Sequence, residues 1–108
     1  MVRPEESTRP KSETRGADIV RLLRVLGNED RLRIVCCILS SKAGELNVTE
    51  LSVLNGLTLS ALSQHLAKMR DSGVVEVRRS GHYKFYRING QRVLWQLLTA
   101  VRGYVSVP

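Results

Sequence analysis

Residues 59–73 read LSALSQHLAKMRDSG, and this stretch decides the fold. Its apolar side chains recur three and four positions apart, which is the spacing of one face of an α-helix. The opposite face carries short hydrogen-bonding side chains and no acidic residue before Asp71, whereas a solvated helix face usually mixes Glu and Lys. The pattern predicts a helix with an apolar stripe for the core and a polar stripe available for recognition. The apolar stripe consists of Leu59, Leu62, Leu66 and Met69.

The chain has the size of one domain and a strongly basic charge. Its 108 residues, 43% of them hydrophobic, are enough for a single domain with a modest core. Seventeen basic residues against ten acidic ones produce a net charge of +7. This charge favours polyanionic partners, nucleic acid first and an anionic membrane surface second.

The first sixteen residues, MVRPEESTRPKSETRG, differ from the rest in composition. They carry two prolines and many charges, and only Met1 and Val2 are apolar, so we expect a disordered tail over 1–16 and one domain over 17–108. The tail lacks the apolar core of a signal peptide, and no run in the chain approaches the roughly 18 apolar residues of a membrane span. The sequence therefore predicts a cytoplasmic, nucleoid-associated protein with no membrane contact.

Helical patterns also precede residue 59. A capping box at 47–50, sequence NVTE, starts a short helix, and the pair Asn55-Gly56 turns the chain after it. Two helices joined by a short turn with glycine, the second polar on its outer face, predict a helix-turn-helix. The helices predicted ahead of residue 59 cover about 17–26, 29–39 and 48–54.

After Gly73 the apolar period changes from helical to two. The segments VVEVRR (74–79) and YKFYRI (83–88) are rich in β-branched and aromatic residues, and Ser80-Gly81-His82 joins them, which predicts a β-hairpin. A last helix is predicted over 90–105. The expected fold class is mainly α with a β-hairpin wing (α+β), a winged helix-turn-helix with four helices, two strands and a fifth helix in chain order.

A polar helix beside a basic hairpin indicates binding of double-stranded DNA. Residues 58–87 hold six basic and two acidic residues, a net +4 of the total +7. Ser, Gln and His can donate to and accept from base edges in a major groove, Ala61 permits close approach, and Lys68 can reach a phosphate or a guanine. Plain solvation of the helix and edge protection by the hairpin are the alternatives. The candidate DNA-binding residues are Thr58, Ser60, Ala61, Ser63, Gln64, His65 and Lys68 on the helix and Arg78, Arg79, His82 and Lys84 on the wing.

The two cysteines, Cys36 and Cys37, are adjacent in a predicted helix. Such a pair makes neither a disulfide framework nor a CxxC motif, and Cys36 lies on the apolar stripe, where a free cysteine is most often a small buried residue. Redox sensing through Cys36 or Cys37 stays an alternative. The only imidazoles, His65 and His82, lie in the DNA-facing elements, so we expect no metal and no other cofactor. No nucleophile elbow or phosphate-binding glycine loop occurs, which predicts that the protein is not an enzyme.

Two long runs of the sequence resemble one bacterial family. LGNEDRLRIVCCIL (26–39) and VTELSVLNGLTLSALSQHLAKMRDSGVVEVRRSGHYKFYRI (48–88) are similar to the ArsR/SmtB family of winged-helix regulators, and the resemblance covers about 17–105. It implies a homodimer that pairs through its first and last helices, 17–27 and 90–105, and binds imperfect inverted repeats at promoters. Members usually repress, and a ligand or an oxidation event releases them. The resemblance also assigns Ser60, Ser63, Gln64 and His65 to base contacts, and Arg78, Arg79, His82 and Lys84 to the wing.

The chain departs from the metal-sensing members of that family. Asn47 and Thr49 stand where thiolate ligands lie in those members, and the last helix offers no Asp or His ligand. The resemblance is nearest to the HlyU/BigR type, in which one cysteine aligns with Cys36 and a second lies near the end of the last helix, where this chain has Val105. A single-thiol, an intersubunit or a non-redox mechanism therefore stays open.

The sequence as a whole predicts a dimeric transcription regulator. It would read an inverted-repeat operator in double-stranded promoter DNA, as a repressor or as an antagonist of silencing. The alternatives are a thiol-based redox- or persulfide-sensing repressor acting through Cys36 and Cys37, a non-specific nucleoid-type DNA binder, and a winged helix used only for protein contact.

Overall fold

The structure is a computed structural model that describes residues 16–90 and 92–105. The tail expected over 1–16 lies outside the described residues except for Gly16, which begins the first helix. Within the described ranges the chain forms five α-helices and three strands. The elements are α1 (Gly16–Leu26), α2 (Glu29–Ser40), β1 (Glu45–Asn47), α3 (Val48–Asn55), α4 (Leu59–Asp71), β2 (Val75–Ser80), β3 (Tyr83–Ile88), α5 (Arg92–Val101) and a 3₁₀ helix (Arg102–Tyr104).

Polar caps start the helices α2, α3 and α4. The Asn28 side chain accepts a backbone N–H of the first turn of α2 at 3.0 Å. Asn47 and Glu50 form a reciprocal capping box at the start of α3, with both N–O distances at 2.8 Å. The Thr58 hydroxyl accepts the Ala61 backbone N–H at 3.1 Å. Each cap satisfies donors that a helix leaves unpaired at its start, which is why these helices begin where the sequence predicts.

Three antiparallel strands form one sheet in the order β1-β3-β2. The predicted hairpin is present, and Gly81 in its turn has φ +61°, a conformation that favours a residue without a Cβ. The sequence predicts only two strands, and β1 is an addition in which Leu46 pairs with Tyr86 of β3. Three residues are too few to show a period of two. The strand β1 is therefore defined only by its pairing with β3, which lies about 40 residues later in the chain.

Helix α2 lies at the centre of the core. All five residues of Ile34–Ile38 are buried, so this helix contacts its neighbours on most sides, as its apolar pattern predicts. The other large side chains that are fully enclosed come from α3, α4 and α5 and from Val74, which directly precedes β2. They pack around α2 and hold the helix-turn-helix and the sheet against it. They include Leu51, Leu62, Met69, Leu94 and Leu98.

Helix α5 begins at Arg92 and ends at Val101, so the last α-helix is shorter than the predicted 90–105. The backbone tightens into a 3₁₀ helix at Arg102–Tyr104. This segment contains Gly103, and glycine is among the poorest helix formers, which accounts for the early end. Within residues 16–90 and 92–105, the structure contains no helix with the length and apolar character that a membrane crossing requires.

Candidate nucleic-acid interface

Helix α4 has one face in the core and one face in solvent. Leu62, Leu66 and Met69 are buried, and their packing sets the position of the helix. Leu59, which the apolar pattern places on the same stripe, is 57% exposed because it lies in the first turn of the helix, at the edge of the core. The residues on the opposite side are exposed and hydrogen-bonding in character. The structure therefore brings most of the predicted base-reading residues together on one rigid helix. We call the exposed set Ser60, Ser63, Gln64 and Lys68 the polar stripe, and Ala61 lies half-buried beside it.

The turn between α3 and α4 is held by two hydrogen bonds. The Ser52 hydroxyl donates to the Leu57 carbonyl at 2.6 Å, and the Leu57 backbone N–H donates to the Ser52 carbonyl at 3.2 Å. Gly56 between them has φ +63°, the left-handed conformation in which many helices end. These bonds fix α3 relative to α4, as a helix-turn-helix requires.

His65 is placed differently from the polar stripe. Its imidazole approaches the first turn of α2, with Nδ1 3.3 Å from an Arg31 guanidinium nitrogen and Nε2 3.6 Å from an Asp30 carboxylate oxygen. Only 18% of its side chain is exposed. His65 therefore links α4 to α2, and a base contact by His65 would compete with these two partners.

The tip of the wing carries two basic residues in direct opposition. Arg79 and Lys84 are cross-strand partners, and they project from the same face of the sheet as Val77 and Tyr86, which pack on the core. Like charges at opposite positions repel each other, so an anion close to both would stabilise the pair. His82 is exposed in the adjoining turn. These three residues form a basic tip that projects beyond the core.

Arg78 projects from the other face of the wing. Its guanidinium donates two hydrogen bonds to the Glu45 carboxylate of β1, one of them 3.1 Å long, and lies 4.6 Å from the centre of the Phe85 ring. The hydrogen bond from Arg78 lowers the pKa of Glu45, and the same bond raises the pKa of Arg78. The structure thus separates Arg78 from the basic tip and uses it to attach the wing to β1.

Both thiols are enclosed by the core. Cys36 is 0% exposed and Cys37 is 4% exposed, and the Cys37 Sγ lies 3.7 Å from the Asn55 amide oxygen. Burial raises the pKa of both thiols above the ordinary value of 9.0, and for Cys36 the positive charge of Arg102 opposes this rise. The reactive thiolate form is therefore disfavoured. Among the residues that the structure describes, no group of three His, Cys, Asp or Glu side chains could hold a metal ion.

A second surface, on α1 and the C-terminal elements, is apolar. Residues of α1 and α5 also line an adjoining groove of about 160 Å³, in which Leu23 lies near Leu97 and Val101. Exposed apolar side chains in such number are typical of surfaces that contact another molecule. We call Ile19, Val20, Leu23, Trp95 and Tyr104 the apolar surface.

The sequence does not predict the residues that support this interface. Asp30 and Arg31 contact His65, and Glu45 binds Arg78. The partners in these contacts are 33 to 35 positions apart in the chain. Periodicity and capping motifs report only on neighbours within a few residues. Contacts over this distance leave no local signal, so only the folded chain reveals them.

The polar stripe on a helix-turn-helix, followed by a hairpin with a basic tip, defines a winged helix-turn-helix of the DNA-binding class. The family model for bacterial regulatory proteins of the arsR family matches residues 28–77. The transcriptional activator HlyU of Vibrio cholerae is 42% identical over 81 residues, which cover 75% of this chain and 72% of that protein. The chain belongs to the ArsR family.

Other similar proteins support the same assignment. The biofilm growth-associated repressor of Xylella fastidiosa is 36% identical over 94 residues, 87% of this chain and 79% of that protein. The solved structure of reduced HlyU from Vibrio cholerae has a TM-score of 0.73 and 36% identity, and covers 82% of this chain and 88% of that chain. A homodimeric winged helix-turn-helix DNA-binding domain from Mycobacterium bovis has a TM-score of 0.70 and 28% identity, with coverages of 82% and 78%.

These comparisons confirm the family and the fold class predicted from the sequence. The relatives are named as an activator and a repressor of transcription and not as enzymes. The chain is accordingly a transcriptional regulator of the ArsR family, as the sequence predicts, and not an enzyme.

Proposed function

We propose that this regulator is a homodimer that binds an inverted-repeat operator in double-stranded promoter DNA, as a repressor or as an antagonist of silencing. Each protomer places α4 in a major groove and its wing on the neighbouring backbone. A two-fold axis relates the two α4 helices, so the half-sites are inverted and lie about one helical turn of DNA apart.

The polar stripe of α4 is the observation that carries this proposal. Ser60, Ser63 and Gln64 are exposed on a helix whose other face is locked in the core. A glutamine can bond an adenine edge through both its oxygen and its nitrogen, and a serine can donate or accept. Side chains held on a rigid helix discriminate between bases at low cost in conformational entropy. These residues are the ones we assign to base contacts.

The wing supports the proposal through its charge. Arg79, His82 and Lys84 lie together at the tip, and we assign them to backbone phosphates, which fix the register of the domain on DNA without reading sequence. Arg78 contributes through its bonds to Glu45, which hold the wing in place. Thr58 contributes as the cap that sets the first turn of α4.

The dimer part of the proposal rests on the apolar surface. It lies on the two helices that the family resemblance assigns to pairing, and the Mycobacterium bovis neighbour is described as homodimeric. Burying these side chains against a second copy would remove them from water. Analytical ultracentrifugation tests this: Leu23→Glu should give monomers, whereas Lys42→Glu, an exposed change outside the surface, should leave the dimer intact. A Leu23→Glu protein that stays dimeric at micromolar concentration would refute the assigned interface.

Selection of duplexes from a random library by the full chain tests the DNA-binding part. We expect enrichment of two inverted half-sites with centres about 10 base pairs apart, bound at least ~10³-fold more tightly than random DNA at physiological salt. Binding without any enriched sequence would favour the nucleoid-type alternative. No binding at all would favour a winged helix used for protein contact.

The thiol-based alternative is not favoured by the site. Cys36 and Cys37 are buried and their pKa values are raised, so an oxidant reaches a reactive thiolate only after the domain opens. We assign both cysteines to the packing of α2.

A further inference from the structure

A basic cleft lies beside the polar stripe. It has a volume of about 430 Å³, is open to solvent, and joins α1, the start of α2 and the end of α4. The basic residues that line it outnumber its one acidic lining residue, Asp71. Positive charges brought together from three helices repel one another, so a bound anion would lower the energy of the folded arrangement. The basic residues of the cleft are Arg21, Arg24, Arg31 and Lys68.

Arg31 forms the fixed side of this cleft. Its Nε donates to the Val25 carbonyl, near the end of α1, at 2.6 Å, and a terminal nitrogen lies 3.3 Å from the His65 ring. A guanidinium has five N–H donors, so two contacts orient the group and leave capacity for an anion. Arg21 and Arg24 are exposed on α1, and Arg21 also forms a solvent-exposed ion pair with Asp18, with 3.9 Å between the nitrogen and the oxygen. Such exposed pairs contribute little, so both arginines are less restrained than Arg31.

Helix α1 places Arg21 on a different side from the apolar surface, whereas Arg24 borders that surface at Val20, one turn earlier. At about 100° per residue, Leu22 faces the core, Leu23 points to the apolar surface, and Arg21 and Arg24 occupy the remaining side. One face of α1 can therefore contact a second protomer while another holds an anion. Binding in the cleft and dimer formation do not exclude each other.

The position of the cleft on α4 indicates which anion it receives. Helix α4 has 13 residues and is about 20 Å long, whereas the major groove is about 12 Å wide. If the first turns of α4 read bases, its last turns leave the groove where the phosphates run. Lys68 belongs both to the polar stripe and to the cleft, so the two surfaces are continuous. A cleft open to solvent also suits a phosphate within a polymer better than a small molecule that must be enclosed.

We propose that the basic cleft binds a backbone phosphate beside each half-site and thereby extends the DNA contact from α4 and the wing to α1. This inference rests on the proposed function, because it takes α4 as the groove-reading helix. It adds Arg21, Arg24 and Arg31 to the residues that contact DNA, none of which the sequence pattern selects.

The test compares charge-matched variants on one duplex. Full-length wild type, Arg21→Ala/Arg24→Ala and Lys42→Ala/Arg87→Ala are titrated with the duplex selected by the wild type, carrying ten extra base pairs on each side, between 50 and 300 mM NaCl. Lys42 and Arg87 are exposed and lie outside both the cleft and the helices assigned to pairing. We expect the cleft variant to bind about tenfold more weakly at low salt, with a salt slope smaller by about 0.9 per cleft and an unchanged preferred sequence. The control should stay within about twofold.

Equal duplex affinities of the cleft variant and the control would refute phosphate binding in the cleft. The proposed function would still stand if the wild type enriches an operator. If the wild type enriches no sequence, the proposed function is wrong. The affinities of the cleft variant and the control for a random duplex then still test whether the cleft binds a backbone phosphate. Titration of inorganic pyrophosphate into DNA-free protein tests for a free anion. Saturable binding that Arg21→Ala/Arg24→Ala abolishes, without a change in duplex affinity, would overturn the DNA backbone as the source. Arg21→Lys/Arg24→Lys should restore most of the duplex affinity, because it restores the charge.

Discussion

Helices α2 and α4 have almost the same length, 12 and 13 residues, but different relations to solvent. α2 buries five consecutive residues and lies at the centre of the domain, whereas α4 buries one side and exposes the other. The most reactive side chains of the chain, the thiols of Cys36 and Cys37, lie on the enclosed helix. The unreactive Ser and Gln side chains lie on the exposed one. The comparison shows that placement, more than chemical type, decides which residues are available for function.

The largest expected effect comes from a cavity in α2. Ile34→Ala removes a fully buried side chain and should lower the free energy of unfolding by about 2–5 kcal/mol, because transfer and cavity costs add. Urea denaturation followed by circular dichroism measures this change. Gln64→Ala, on the exposed face of α4, is the control and should change stability by less than about 0.5 kcal/mol. A loss below about 1 kcal/mol for Ile34→Ala would mean that α2 is not the central helix.

The next effect concerns the exposed face of α4. Gln64→Ala should cost about 1–3 kcal/mol of discrimination at one base pair of each half-site, because a two-point contact to a base edge is lost. Lys84→Ala should instead weaken binding to all duplexes and reduce the salt slope by about one unit. Gel shifts with the selected operator and its single-base variants separate the two. Unchanged specific affinity for Gln64→Ala would show that α4 does not read the operator.

A smaller effect is expected where the two helices meet. His65→Ala removes the contacts with Asp30 and Arg31 and should reduce the free energy of unfolding by about 1 kcal/mol. Asp30→Asn is the matched change on α2. If both variants weaken binding to every duplex alike, His65 positions α4. If only His65→Ala changes the preferred base at one position, His65 contacts that base directly, as the sequence predicts.

The smallest effect is the pH dependence that the thiols contribute. Burial raises their pKa values in the folded chain above the ordinary 9.0, so the unfolded chain loses these protons first as pH rises. Their contribution to stability is therefore complete below about pH 9 and decreases above it. Urea denaturation from pH 7 to 10 should show a steeper decline for the wild type than for Cys36→Ala/Cys37→Ala. Rapid labelling of either thiol by iodoacetamide in the native protein would contradict this account and restore the redox alternative.

Local patterns were sufficient to predict most elements of the fold. The apolar spacing of α4, the capping box at Asn47 and Glu50, and the change to a period of two after Gly73 each act over a few residues. The strand β1 and the early end of α5 at Val101 escaped prediction. The first depends on pairing with β3, and the second lies in a segment where the apolar pattern continues after the α-helix has ended.

The candidate interface was predictable in its composition and only partly in its arrangement. Ser60, Ser63 and Gln64 are exposed on α4 as their helical spacing indicates. His65 and Arg78 have the same kinds of side chain as the other candidates, but each is engaged by a residue on a different element. The helical and strand periods indicate to which side of its own element a side chain projects. They do not indicate which other element lies on that side.

The sequence by itself determined the class of protein, because periodicity, capping and charge are properties of neighbouring residues and can be recognised without the tertiary structure. It also indicated α4 and the hairpin as the surfaces for DNA. Only the tertiary structure decided which of those side chains are available to a partner, that the cysteines are enclosed, and that α1, α2 and α4 together form a basic cleft. The physical reason is that burial and charge clustering arise between residues distant in the chain, and these meet only when the core forms.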